Sequence, residues 1–267
     1  MHSIAPQPLL SLRDVSKVYA STGAIAVENV NMALSKGEFV SLVGPSGCGK
    51  TTAMKLAVGL VDKTEGTIAY KGQPGTPRPG TYGIVFQQPV LLPWWTVEQN
   101  VLLPAKVLGL DPAASRARCH KLLELVGLAN KEKFYPRQLS GGMRQRVSIA
   151  RSLLHEPELL FMDEPFGALD AITRERLNFE LLQIQDELGV TVLFVTHGIS
   201  EAVLLSDRVI VMSASPGRMI GEIRIDLAKP RGPQTLREPR FRELEAQTRD
   251  MLDAAEAPAD GGIVVAR

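Results

Sequence analysis

The sequence is poor in cysteine: Cys48 and Cys119 are the only two in 267 residues. That excludes a disulfide framework and suggests a reducing compartment. It also lacks charge of one sign, with 30 Lys+Arg against 29 Asp+Glu and a net charge of +1. No basic field wraps a nucleic acid, so no nucleic-acid partner is expected. Long apolar runs are missing as well. No stretch approaches the ~18 uninterrupted apolar residues that span a bilayer. The nearest, PVLLPWWTVEQNVLLPA, is interrupted by three prolines and Glu98. The opening MHSIAPQPLL has neither the basic start nor the apolar run of a signal peptide. These shortages predict a soluble, cytoplasmic protein that is still free to dock on a membrane protein. Its hydrophobic content of 45% is enough for a large core, as one domain or one domain with an inserted subdomain.

What is present reads as an α/β protein. Residues 9–19 and 24–34 alternate as antiparallel strands do. EFVSLVG (38–44) is a buried strand ending at glycine, followed by a helix over 50–61. Strands over 66–72 and 82–88 flank the loop GQPGTPRPG. Residues 96–155 read as helical, with Cys119, Leu122, Leu125 and Val126 on one stripe. ELLFMDE (158–164) and VTVLFVTH (190–197) are apolar runs typical of a doubly covered parallel sheet. The helix near 172–188 joins them as a crossover. RVIVMSA is a late strand, and a polar helix with Phe241, Leu244, Thr248 and Met251 at helical spacing lies in the tail.

GPSGCGKT, Gly44 to Thr51, fits the phosphate-loop pattern G-x-x-x-x-G-K-[ST] between a strand and a helix. The expected ATP-binding set is Gly44, Pro45, Ser46, Gly47, Cys48, Gly49, Lys50, Thr51 and the following Thr52. The glycines let the backbone fold round phosphate oxygens, Lys50 reaches the β- and γ-phosphates, and the Thr51 hydroxyl binds Mg²⁺. LLFMDE ends in Asp163 and Glu164 at the carboxyl edge of the sheet, where ligands bind. Asp163 suits Mg²⁺, directly or through water, and Glu164 suits the base that deprotonates the attacking water. His197, at the same edge, suits a γ-phosphate contact. Gln87, at the end of its own strand, suits the water or Mg²⁺.

One more motif stands out. In LSGGMRQRVSIA, Ser140, Gly141 and Gly142 open an amphipathic helix carrying Met143, Val147, Ala150 and Leu154 on one face. Free N–H groups at such an opening make a second anion site.

GPSGCGKT, Gln87, LSGGM, LLFMDE, ALD and His197 follow one another as they do in ATP-binding cassette ATPases, and the chain resembles that family over about residues 9–225. The resemblance implies a P-loop NTPase fold with a RecA-like parallel-sheet core, an N-terminal antiparallel β subdomain and an inserted α-helical subdomain. The implied ATPase domain spans 1–230, with the helical subdomain at about 90–157 and a C-terminal helical tail over 231–267. Two cassettes would join head to tail, as a homodimer in the simplest case. Ser140, Gly141 and Gly142, with Asp170 of ALD, would then complete the ATP site of the other subunit. Tyr19 resembles the aromatic on which adenine stacks.

A narrower likeness is to cassettes of bacterial nitrate, sulfonate and taurine importers, through LLPWWTVEQNV, GGMRQRVSIARSLLHEPELLFMDEPFGALDAITR and SPGRMIGEIRIDLAKPR. It implies ATP and Mg²⁺ as cofactors and a place on the cytoplasmic face of the inner membrane. The implied partners are an integral membrane permease and an extracytoplasmic substrate-binding protein. Trp94 and Trp95 would either face the permease or pack within the helical insert. Importers of this group usually carry Asp after the histidine, where this chain has Gly198. The alternative is a non-transport cassette acting in DNA repair or translation, but such proteins carry two cassettes or a long coiled coil. A non-hydrolysing binder would lack Glu164 or His197.

Overall fold

The computed structural model describes residues 7–213 and 216–256. Its first third holds β1 (Leu10–Tyr19), β2 (Ala24–Leu34), β3 (Phe39–Val43), α1 (Lys50–Val58), β4 (Glu65–Tyr70), β5 (Gln73–Pro74) and β6 (Tyr82–Val85). Then come α2 (Val97–Val101), α3 (Leu103–Leu108), α4 (Pro112–Leu125) and α5 (Gly141–Leu153). The last third holds β7 (Leu159–Asp163), α6 (Ala171–Leu188), β8 (Thr191–Val195), α7 (Ile199–Leu205), β9 (Arg208–Met212), β10 (Met219–Arg224) and α8 (Pro239–Glu256). No helix among the described residues is long and apolar enough to cross a membrane.

Two sheets form. One is antiparallel, ordered β2-β1-β4-β5; the other is ordered β10-β9-β3-β8-β7-β6, parallel except for β10. The alternation of side chains along a strand divides the core in two. Phe39, Val43, Leu160, Met162, Val192 and Phe194 face the layer of α5, α6 and α7. Val40, Leu42, Leu159, Phe161, Leu193 and Val195 face α1 and the antiparallel sheet. A one-residue slip would exchange the two sets, so both faces fix the register. Because β3 and β8 are buried along their whole length, they read as unbroken apolar runs.

The stretch expected as helical, 96–155, is broken into four helices by identifiable residues. Thr96 and Gln99 make a reciprocal capping box on α2. Gly109 ends α3 in a left-handed conformation at φ 67, and Asp111 caps α4 ahead of Pro112. In α4, Cys119 and Leu122 are buried together with Leu123, and Val126 is buried just past the helix end. Burial holds the Cys119 thiol up at about 12. The strands also stop short of their expected ends: β6 at Val85, β7 at Asp163 and β8 at Val195. Gln87, Glu164 and His197 therefore sit on the turns beyond the strands. In the tail, Phe241, Leu244 and Thr248 of α8 are buried. Of the expected units 1–230 and 231–267, residues 1–6, 214–215 and 257–267 lie outside the described residues.

Candidate functional site: a phosphate loop and three turns at one sheet edge

β3 delivers the chain into the loop 44–49, and α1 carries it away. The turn needs glycine: Gly47 and Gly49 have φ of 77 and 94, a region that side chains rarely adopt. At Gly49 a Cβ would also stand 2.6 Å from the Ala26 carbonyl oxygen. Gly49 caps α1 without any side-chain hydrogen bond, and the first turn holds no acidic residue. Its N–H groups are thus open to an anion. Lys50 is almost wholly buried, with Nζ donating to the carbonyls of Gly44 at 2.7 Å and Pro45 at 2.8 Å. Ser46 is exposed, and Thr52 is half-buried. Cys48 is buried, and burial pushes its thiol up against the pull of the Lys50 charge.

The Thr51 hydroxyl donates to Asp163 Oδ1 at 2.9 Å, joining positions 112 residues apart. Hydroxyl and carboxylate oxygens are the hard donors that Mg²⁺ prefers, so the pair fits that ion. Gln87 makes no hydrogen bond to either residue among those described; its Nε2 lies beside Gly167, 3.3 Å from where a Cβ there would stand. Glu164 leaves β7 with φ 45, held by its N–H donating to Val195 O at 2.8 Å and its carbonyl accepting from Gly167 N–H at 3.1 Å. A non-glycine residue there costs on the order of 1–3 kcal/mol, a form of strain that gathers at functional sites. The turn aims the Glu164 carboxylate at His197, with Oε1 2.9 Å from Nδ1.

Ser140 caps α5, its Oγ accepting from Met143 N–H at 3.3 Å. Gly141 and Gly142 pack against the start of α6: a Cβ on Gly142 would stand 2.9 Å from Thr173 Cγ2, and one on Gly141 3.4 Å from Leu169 Cδ2. Asp170 caps α6 by accepting from Thr173 N–H at 2.9 Å, which holds its carboxyl below the usual range. The fold thus brings Ser140–Gly142 and Asp170 to one place. Tyr19 is exposed at the end of β1, with Lys17 Nζ over its ring at 5.3 Å. The two tryptophans part company: Trp94 is 67% exposed, whereas Trp95 is half-buried under Lys106 Nζ at 4.4 Å.

Sequence reasoning missed Thr196 and Glu201. Thr196 Oγ1 accepts from Gly198 N–H at 2.8 Å and donates to Glu201 Oε1. Glu201 lies on α7, a seven-residue helix whose short period gave no usable signal.

A strand, a glycine-cradled loop and an uncapped helix, backed by a Thr51–Asp163 pair and the Glu164 turn, are the apparatus of a P-loop nucleoside triphosphatase. The comparisons with known proteins narrow this. The ABC transporter family matches residues 27–167. The chain is 45% identical over 224 residues to the aliphatic sulfonates import ATP-binding protein SsuB of Bacillus thuringiensis subsp. konkukian, covering 83% of this chain and 88% of that one. It is 44% identical over 228 residues to an uncharacterised ABC transporter ATP-binding protein of Methanocaldococcus jannaschii, covering 83% and 84%. Among solved structures, cbiO1 of Clostridium perfringens, part of the ABC transporter complex cbiONQ, matches with TM-score 0.76 and 27% identity over 92% of this chain and 98% of that one. A dimeric bacterial ABC transporter cassette matches with TM-score 0.72 and 33% identity over 82% and 100%. The same kind of cassette, bound to ADP and Pi after hydrolysis, matches with TM-score 0.72 and 32% identity. This chain belongs to the ABC transporter family, as an ATP-binding subunit that hydrolyses ATP.

Proposed function

We propose that this chain powers a bacterial importer of a small nutrient, an aliphatic sulfonate ahead of taurine or nitrate, by opening and closing a head-to-tail dimer. The name of the SsuB relative favours the sulfonate. The partners are a second copy, an integral membrane permease and an extracytoplasmic binding protein, with this subunit at the cytoplasmic face of the inner membrane. The proposed organisation is an ATPase unit over 1–230 with its helical subdomain at about 90–157, followed by the tail 231–267. The observation that carries the reading is a complete phosphate loop and a Ser140-Gly141-Gly142 helix opening on the same chain.

In the proposed mechanism the α1 N–H groups and Lys50 bind the β- and γ-phosphates, and Tyr19 stacks on adenine. Thr51 and Asp163 would hold Mg²⁺, with Gln87 turning to it or to the water; the ion neutralises phosphate charge when bound. Glu164 takes the proton of the attacking water, a role worth about 10²–10⁴ in rate. His197 orients that carboxylate through Nδ1 and meets the γ-phosphate with its other nitrogen. Ser140, Gly141, Gly142 and Asp170 act on the nucleotide held by the partner.

The test is ATPase activity of the chain with its permease and binding protein in vesicles. An alkanesulfonate should stimulate hydrolysis. Stimulation by nitrate alone would overturn the sulfonate assignment, and stimulation by taurine but by no unsubstituted alkanesulfonate would narrow it to the amino-substituted sulfonate.

A further inference from the structure

We propose that Glu201 is a positioning residue for His197. This rests on the assignment of His197 to the γ-phosphate. The Thr196 hydroxyl is the hub: it accepts from Gly198 N–H at 2.8 Å and donates to Glu201 Oε1. Thr196 is itself buried, and its N–H donates to Leu42 O at 3.2 Å. The backbone on both sides of His197 is therefore tied to one buried carboxylate and to the neighbouring strand. Gly198 has φ −82 and ψ 107, which any residue adopts. A Cβ there would stand 2.7 Å from Glu201 Oε1 and 2.9 Å from its Cγ, so the Glu201 side chain lies directly against the turn that follows His197.

The carboxylate has a poor site for a purely structural group. Its Oε2 is buried with no hydrogen-bond partner, as are Arg174 Nε and Asn178 Oδ1. All three residues line one cavity of about 250 Å³ between α6 and α7. Packing alone would favour an apolar side chain at such a place. Arg174 also donates from Nη2 to Leu169 O at 3.0 Å, directly before Asp170. Glu201 thus stands between the turn that carries His197 and the residue that holds the Asp170 turn.

The experiment measures kcat, KM and equilibrium ATP binding on the full-length chain carrying Glu201→Ala, Glu201→Gln, Thr196→Val or His197→Ala. Glu201→Ala should lower kcat by about tenfold or more with KM and ATP binding unchanged within about twofold. Glu201→Gln keeps the acceptor for Thr196 and should restore kcat to within about threefold of the parent. Thr196→Val should match Glu201→Ala, and the double variant should be no worse than either. A parental kcat in Glu201→Ala, or losses that multiply in the double variant, would overturn the inference. Should Glu201→Ala fail to fold, Thr196→Val decides, since it removes the hydroxyl that links Glu201 to the turn: a parental kcat refutes the proposal. His197→Ala separates the two claims. If it hydrolyses ATP at the parental rate, the reading of the site fails; if it is inactive while Glu201→Ala is normal, only the positioning role fails.

Discussion

Two helix openings in this molecule are built from the same small residues to opposite ends. At α1 the capping residue is Gly49, which supplies no side-chain acceptor, so the first-turn N–H groups are left for a phosphate. At α5 the Ser140 hydroxyl already accepts from Met143 N–H, and the glycines that follow are pressed against Thr173 and Leu169. The first opening is a socket with a buried lysine beneath it. The second is internally satisfied and exposed at Ser140, as suits a surface offered to another subunit. One helix-dipole principle applies to both, and on the proposed reading the uncapped opening binds phosphate within the chain while the capped one meets it across an interface.

The sharpest break in this comparison comes from Lys50→Ala. Removing the buried ammonium should lower both ATP affinity and hydrolysis by at least about 10²-fold, measured by equilibrium binding and phosphate release. Unaltered binding would contradict the socket. Glu164→Gln should separate binding from chemistry: ATP binding stays, kcat falls by about 10²–10⁴, and an ATP-bound dimer accumulates on gel filtration. Turnover at the parental rate would remove Glu164 as the base. Ser140→Arg places a long cation at the other opening. It should abolish most hydrolysis while leaving ATP binding to the same chain within about twofold, because the socket is untouched.

The smallest effect concerns stability. Burial, the largest influence on Glu201, raises its pKa; Thr196, Arg174 and His197 pull it down, and Glu164 pushes it up. Glu175 also lines the adjoining cavity. A carboxyl raised in the folded state favours folding in its neutral form, so that contribution is present at low pH and is lost as pH rises through the folded pKa. Glu201→Gln cannot ionise. It should match the parent's Tm near pH 4 and exceed it by about 1–4 °C at pH 8. A Tm difference that does not grow with pH would contradict the buried, ionisable Glu201.

Much of the site was legible in the sequence because its parts are short, local and chemically fixed. Gly44 to Thr51 needs its glycines and lysine in consecutive order, and β3, β7 and β8 announce themselves as apolar runs because both faces of the sheet are covered. Less legible were the strand ends. Glu164 looks like the last residue of a strand, yet its φ of 45 turns it out, since its N–H is claimed by Val195. α7 and β10 escaped notice: one is seven residues long, and the other is an edge strand interrupted by Gly221. The Thr196–Glu201 contact was illegible because only the short helix after Gly198 turns that carboxylate back onto Thr196. The departure at Gly198 was visible as an anomaly, but the approach of Glu201 to it, 2.7 Å from where a Cβ would stand, exists only in three dimensions.

The central claim is that the two openings meet across subunits, and mixing tests it most directly. Lys50→Ala and Ser140→Arg chains are each prepared alone, shown to be inactive, then combined in equal amounts and assayed for ATP hydrolysis. A head-to-tail dimer of one with the other contains one intact site, so activity should reappear, toward about a quarter of the parental rate if the subunits pair at random. A mixture as inactive as its components would contradict the claim.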